Sequence, residues 1–166
     1  SIFGVVYIGW FGGHMLLLRG IPQYGAGLVT MTIAAVALTD GAAYLVGSVI
    51  GKHRLAPVLS PKKSWEGAIG GFMAAIIGMG VIYLLANVAG WQAFPAWSLK
   101  RYCFIGAMLS VAGQIGDLAE STLKRSAGVK DSGTFFPGHG GVLDRADSYL
   151  FATPLAYYLV APLFHS

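Results

Sequence analysis

No charged side chain occurs anywhere in residues 67–99. That stretch exceeds the about 20 mostly apolar residues needed to cross a bilayer core, and in lipid only helices or closed barrels satisfy every backbone polar group. The rest of the chain suits the same solvent. Of 166 residues, 55% are hydrophobic and 11% charged, with a mean hydropathy of +0.65. A soluble domain carries about 25% charged residues and exposes more surface than so few charges can cover. A soluble globular fold is excluded, as are intrinsic disorder and collagen, whose strict glycine period is missing. The net charge of +4, with a pI of 9.3, is spread over loops between apolar segments. It marks cytoplasmic loops rather than nucleic-acid binding. Cys103 is the single cysteine and permits no internal disulfide. The opening run from Ser1 lacks the basic start and small-residue cleavage site of a signal peptide, so a fragment or a processed form is expected.

Five segments, at roughly 2–18, 26–50, 67–90, 102–123 and 146–164, read as spans by length and apolarity. The expected fold is all-α: a polytopic integral membrane helical bundle of about five transmembrane helices, forming a single domain over 1–166. Glycines at four-residue spacing, Gly9/Gly13, Gly47/Gly51 and Gly67/Gly71, would let helices approach closely in lipid, although 24 glycines produce some such pairs by chance. Alternating spans put the loops at 51–66 and 124–145 on one side. That side carries Lys52, Arg54, Lys62, Lys63, Lys124, Arg125, Lys130 and Arg145, against Arg19, Lys100 and Arg101 on the other. The asymmetry predicts that both polar loops face the cytoplasm, with Ser1 on that side and His165 on the opposite one.

Five of the seven acidic residues, Asp117, Glu120, Asp131, Asp144 and Asp147, fall within 31 residues. Asp40 and Asp117 lie well inside expected spans. Ionisable groups at membrane depth are costly and are read as functional by default; the alternative is a carboxylate paired with a Lys or Arg that fixes helix packing. Asp117, Glu120, Ser121 and Lys124 follow i, i+3, i+4, i+7 and share one helix face. Such a stripe suits a divalent cation held by carboxylates, with phosphate oxygens completing its shell and Lys124 and Arg125 neutralising the rest. A plain Glu120/Lys124 pair would explain two of these residues and leave Asp117 over.

The run Pro137-Gly138-His139-Gly140-Gly141 cannot be regular helix, and its glycines let backbone amides approach an anion. Asp144 and Asp147 stand i, i+3 at the start of the last span, where acids also favour the helix dipole. His139 is open to three roles: general base, phosphate ligand or turn residue. Lys62 and Lys63, in the other cytoplasmic loop, suit substrate phosphate or serve as topology signals and anionic-headgroup contacts. Gly47-x3-Gly51-Lys52-His53 falls short of a Walker A loop. Without a Ser-His-Asp order or a Cys/His cluster, these residues suit Mg²⁺-dependent phosphoryl or nucleotidyl transfer, where catalysis is mostly positioning and charge neutralisation.

At this point the sequence resembles a known family. The run Ser121-Thr122-Leu123-Lys124-Arg125-x4-Lys130-Asp131-x-Gly133-x2-Phe136-Pro137-x-His139-Gly140-Gly141-x-Leu143-Asp144-Arg145-x-Asp147 is similar to the signature of phosphatidate cytidylyltransferases, the CDP-diacylglycerol synthases. Further matches are Thr39-Asp40-x2-Ala43-Tyr44-x2-Gly47, Ser60-Pro61-Lys62-Lys63-Ser64-x-Glu66-Gly67 and Gly116-Asp117-x2-Glu120-Ser121, so the motifs cover 39–147. Ala146 stands where the family more often has a larger apolar residue, and the family's usual further N-terminal spans are missing.

The resemblance implies transfer from CTP to phosphatidate, giving CDP-diacylglycerol and pyrophosphate. It implies Mg²⁺, with a monovalent cation such as K⁺ beside it, on Asp117 and Asp144, with Glu120, Asp147 and Asp40 as further candidate ligands. Lys130 and Asp131 join the catalytic set. Lys62, Lys63, Ser121, Lys124, Arg125, His139, Gly140, Gly141 and Arg145 become the substrate-binding set; His139 goes to phosphate because the attacking lipid phosphate is already an anion. A homodimer, membrane lipids as neighbours and a prokaryotic inner membrane with a cytoplasmic site complete the expectation. Competing readings are a CTP-dependent polyprenol or phytol kinase, an ether-lipid cytidylyltransferase and, from another class, a cation transporter using Asp40 and Asp117.

Overall fold

The computed structural model describes residues 9–129 and 143–164, with the side chains of 143–145 outside that description. Five helices, α1 (Phe11–Arg19), α2 (Gly25–Ile50), α3 (Trp65–Asn87), α4 (Leu99–Ser126) and α5 (Leu143–Val160), are joined by one antiparallel hairpin, β1 (Arg54–Ala56) and β2 (Ser60–Ser64). A short 3-10 turn, Ala161–Leu163, follows α5. α2 packs along α3, α3 along α4 and α4 along α5, while α5 leans on α1 and touches α2. This is a helical membrane architecture. Among the described residues, α2, α3 and α4 are long and apolar enough to cross a membrane.

The span ends differ from expectation for local reasons. α4 runs past the expected 102–123 at both ends because Lys100, Arg101, Lys124 and Arg125 end the apolar stretch without ending the helix. α3 starts early because Ser64 caps it, and beyond its end the chain turns at Gly90, whose φ of 73° is a left-handed conformation that glycine adopts without strain. The expected loop at 51–66 instead contains the hairpin; Pro61 is tolerated in β2 because both strands of a two-stranded sheet are edges. Of the first expected span, the nine residues of α1 are described as α-helix and 1–8 lie outside the description. α5 contains Pro154 and gives way to the 3-10 turn before the expected end at 164.

α3 shows which solvent the bundle is built for. Its buried face is Gly67, Gly71, Ala75, Met79 and Ile82. The opposite face exposes Ile69, Met73, Ile77, Val81 and Leu84. With apolar groups on both sides, burial from water cannot orient this helix, and close packing of small residues takes over. A Cβ at Gly71 would stand 2.5 Å from the Thr39 carbonyl oxygen, and one at Gly67 would stand 2.6 Å from that of Ala43. Thr39, Ala43 and Gly47, one turn apart on α2, are therefore in backbone contact with α3. The Gly67/Gly71 pair and Gly47 are packing glycines, whereas at Gly9 and Gly13 an added Cβ would meet nothing within 4 Å. At the end of the bundle away from the hairpin, Tyr83, Trp97, Tyr102 and Phe164 make ring contacts, and the Tyr102 hydroxyl donates to the Pro95 carbonyl at 2.7 Å. That aromatic collar suits a membrane interface.

Gly71→Leu must push α2 off α3, at a cost of about 1–3 kcal/mol. The expected result is a lower thermal midpoint in detergent, whereas Gly13→Ala, with open space and better helix propensity, leaves the midpoint unchanged or raises it.

Candidate active site

The start of α3 is built by three residues of the Ser60–Gly67 motif. Ser64 adopts an extended backbone and its Oγ accepts the Gly67 N–H at 3.2 Å, capping the helix. The Glu66 carboxylate accepts the backbone N–H groups of Lys52 at 3.2 Å and His53 at 3.3 Å, and lies 2.6 Å from His53 Nδ1. The Trp65 N–H donates to the His53 carbonyl at 2.9 Å. The chain leaving α2 is thus tied to the first turn of α3, and the hairpin between them carries Lys62 and Lys63 to a fixed place.

That place is a cleft of about 520 Å³ between α2, the hairpin, α3 and α4, within the range of small-molecule sites. Arg54, Lys62 and Lys63 line it on the hairpin side, and Asp40, Asp117 and Gln114 on the helix side. Lys63 Nζ lies 2.6 Å from Asp117 Oδ2, with the two side chains 23% and 34% exposed. Asp40 is open to the cleft, feels the charges of Asp117 and Lys63, and lies near the Ser148 side chain. Asp147 is buried, accepts the Ser148 N–H at 2.6 Å, and feels the charges of Asp117, Asp40 and Lys124. Carboxylates from α2, α4 and α5 therefore converge electrostatically below a cationic hairpin. Beneath them runs a polar seam: Gln114 Nε2 donates to Ser110 Oγ at 3.2 Å and to the Ala68 carbonyl at 3.3 Å, and Ser110 Oγ lies 2.9 Å from Thr39 Oγ1.

The expected stripe on α4 divides. Glu120 is buried and paired with Lys124 at 2.5 Å, while Asp117 turns to Lys63 on the hairpin. Ser121 is half-buried beside them and Arg125 is exposed at the helix end. Lys62 lines the cleft next to Lys63. The backbone of Asp144 and Arg145 opens α5 one turn before Asp147; their side chains, and all of Lys130, Asp131, His139, Gly140 and Gly141, lie outside the described residues. Among the described residues no three His, Cys, Asp or Glu side chains are gathered tightly enough to hold a metal ion. The donor chemistry nevertheless fits a hard divalent cation: the converging groups are carboxylates, without thiolate or imidazole among them.

Sequence reasoning missed Arg54, Gln114 and Ser148. Gln114 stands three residues before Asp117 in an otherwise apolar stretch, a readable signal. Arg54 looked like one more loop charge, and Ser148 is an ordinary residue until α5 meets α2.

Residues 1–163 match the sequence profile of the cytidylyltransferase family. A protein of Bacillus subtilis strain 168 named phosphatidate cytidylyltransferase is 41% identical over 156 residues, covering 94% of this chain and 55% of that protein. Proteins of the same name from Brucella suis biovar 1 and Staphylococcus aureus strain COL are 44% and 42% identical, over 93% and 96% of this chain and 54% and 59% of their own lengths. The chain thus spans little more than half the length of these relatives. By its match over nearly all its length, the chain belongs to the cytidylyltransferase family.

Proposed function

We propose that this chain forms the cytidylyl-transfer site of a membrane enzyme that converts phosphatidate and CTP to CDP-diacylglycerol and pyrophosphate. The observation that carries the reading is the Lys63–Asp117 pair inside a cleft that Asp40 of α2 also lines, with Asp147 of α5 near enough to feel both carboxylate charges. An acidic floor under a cationic hairpin is what a phosphate-bearing substrate and a divalent cation require together. The names of the relatives support the same chemistry.

In this reading a phosphatidate oxygen forms the new bond to the α-phosphorus of CTP as the bond to pyrophosphate breaks. The attacking oxygen is already anionic, so no strong base is needed and His139 serves phosphate binding with the amides of Gly140 and Gly141. Asp117 and Asp144 would hold Mg²⁺, with Asp147, Asp40 and Glu120 as the remaining carboxylates and K⁺ as a companion ion; when bound, Mg²⁺ neutralises charge building on the phosphates. Lys63 fixes the Asp117 carboxylate by their ion pair. Lys124, Arg125, Lys130 and Arg145 supply positive charge at the mouth, Ser121 a hydroxyl, and Asp131 a further acid beside Lys130. The loops at 51–66 and 124–145 face the cytoplasm of a prokaryotic inner membrane, where CTP is available. Two copies of the chain pair in the bilayer.

Two outcomes test this. Asp117→Ala and Asp144→Ala each lower CDP-diacylglycerol formation at least about a hundredfold in detergent micelles while leaving the thermal midpoint in place, and chelating Mg²⁺ stops the wild type. Near-normal turnover in either variant removes that residue from the metal site. In inverted inner-membrane vesicles of a Cys103→Ser background, an impermeant thiol reagent labels Ser60→Cys and spares Gln92→Cys; the reverse pattern overturns the orientation.

A further inference from the structure

Two cations on the cleft rim have no part in the carboxylate cluster. Arg54 and Lys62 both line the cleft and are exposed, and neither forms an ion pair among the described residues. The hairpin register pairs Arg54 with Ser64 and Ala56 with Ser60, with an irregularity between the two pairs, so Lys62 stands on the strand facing Arg54, within the stretch these pairs bracket. Two like charges lining one cleft repel, and an anion between them converts the repulsion into binding. A guanidinium beside an ammonium suits a phosphate monoester dianion, since the planar fork can hold two oxygens at once.

The surroundings of this pair are apolar and face outward. Tyr44 lines the same cleft yet is 75% exposed, and it continues onto a surface of Leu45, Val49 and Ile50 at the end of α2. Val58, in the turn of the same hairpin, is 87% exposed. Tyr44 therefore joins the cleft that the two cations line to an exposed apolar surface of α2. A soluble anion needs no such wall, whereas a lipid needs an apolar path for its chains next to a site for its headgroup.

We propose that Arg54 and Lys62 form the subsite for the phosphomonoester headgroup of a membrane lipid, entered sideways past Tyr44, and that the nucleotide phosphates are held elsewhere. The assignment rests on the reading of this cleft as a site of lipid-phosphate chemistry. The test is equilibrium binding to the purified chain in a nonionic detergent, with dihexanoyl phosphatidate, dihexanoyl phosphatidylcholine, inorganic phosphate and CTP as separate probes. The expected result is binding of phosphatidate in clear preference to phosphatidylcholine and inorganic phosphate. Arg54→Ala weakens phosphatidate about tenfold or more, Arg54→Lys and Lys62→Ala weaken it less, and CTP affinity in Arg54→Ala stays within about twofold of wild type. Unchanged phosphatidate binding in Arg54→Ala overturns the proposal, as does an equal loss of CTP, which would move Arg54 to the nucleotide. Inorganic phosphate binding as tightly as phosphatidate overturns the lipid assignment. Phosphatidate binding lost in Arg54→Ala, in a wild type that takes no CTP, supports this subsite and sinks the cytidylyl-transfer reading instead.

Discussion

The backbone contact between α2 and α3 is the constraint on which the site depends. Thr39, Ala43 and Gly47 meet Gly67 and Gly71 so closely that no side chain fits between them, and Ser64 Oγ, while capping α3, sits at the place where Gly47 and Gly67 come together. With the two helices held at that distance, the chain that joins them has little room. It must return within a hairpin whose ends are tied by Glu66 to Lys52 and His53. The positions of Lys62, Lys63 and Arg54 follow from that tether. On α2 the residues beside the packing stripe, Asp40 and Tyr44, line the cleft, so one helix supplies both the hinge of the scaffold and a wall of the site.

The described carboxylates are gathered at the same place. The apolar stretch of 67–99 needs no electrostatic partner, while α4 carries Asp117 and Glu120 and each has a lysine: Lys63 from the hairpin and Lys124 one turn on. A lone carboxylate at that depth would be expensive, but a pair in a polar cleft next to Gln114 and Ser110 is not. Asp147 approaches from α5 and places a further negative charge near Asp40 and Asp117. The excess of carboxylate is what distinguishes this cluster from a packing ion pair.

Much of this was readable from residues alone. Long uncharged runs locate α2 and α3 because a bilayer core imposes a length and an apolarity that few other structures share. Helix ends were less legible: Lys100 and Lys124 end the hydrophobic pattern while the backbone hydrogen bonding of α4 continues. The hairpin escaped because Ser60–Ser64 has neither alternation nor β-branched residues, and its strand conformation comes from the tether at its ends. For α4, i, i+4 spacing correctly placed Glu120 beside Lys124, since local geometry decides that contact. The same spacing could not show that Asp117 would turn to Lys63, a contact between residues far apart in sequence that exists only because α3 brings the hairpin and α4 together. Arg54 was counted as a loop charge for the same reason: what makes it notable is the cleft beside it.

The order of these elements along the chain also bears on how α4 enters the membrane. Of the three long apolar helices it is the least hydropathic, and it is the one that carries Asp117 and Glu120. Its external counter-charge, Lys63, and the α3 surface that receives it, Ala68, Ala75 and Met79, all precede it in sequence. During synthesis from the N-terminus, the partner that neutralises Asp117 is therefore already made when α4 emerges. The helix that lipid would accept least readily comes last of the three, after the residue that pairs with its charge.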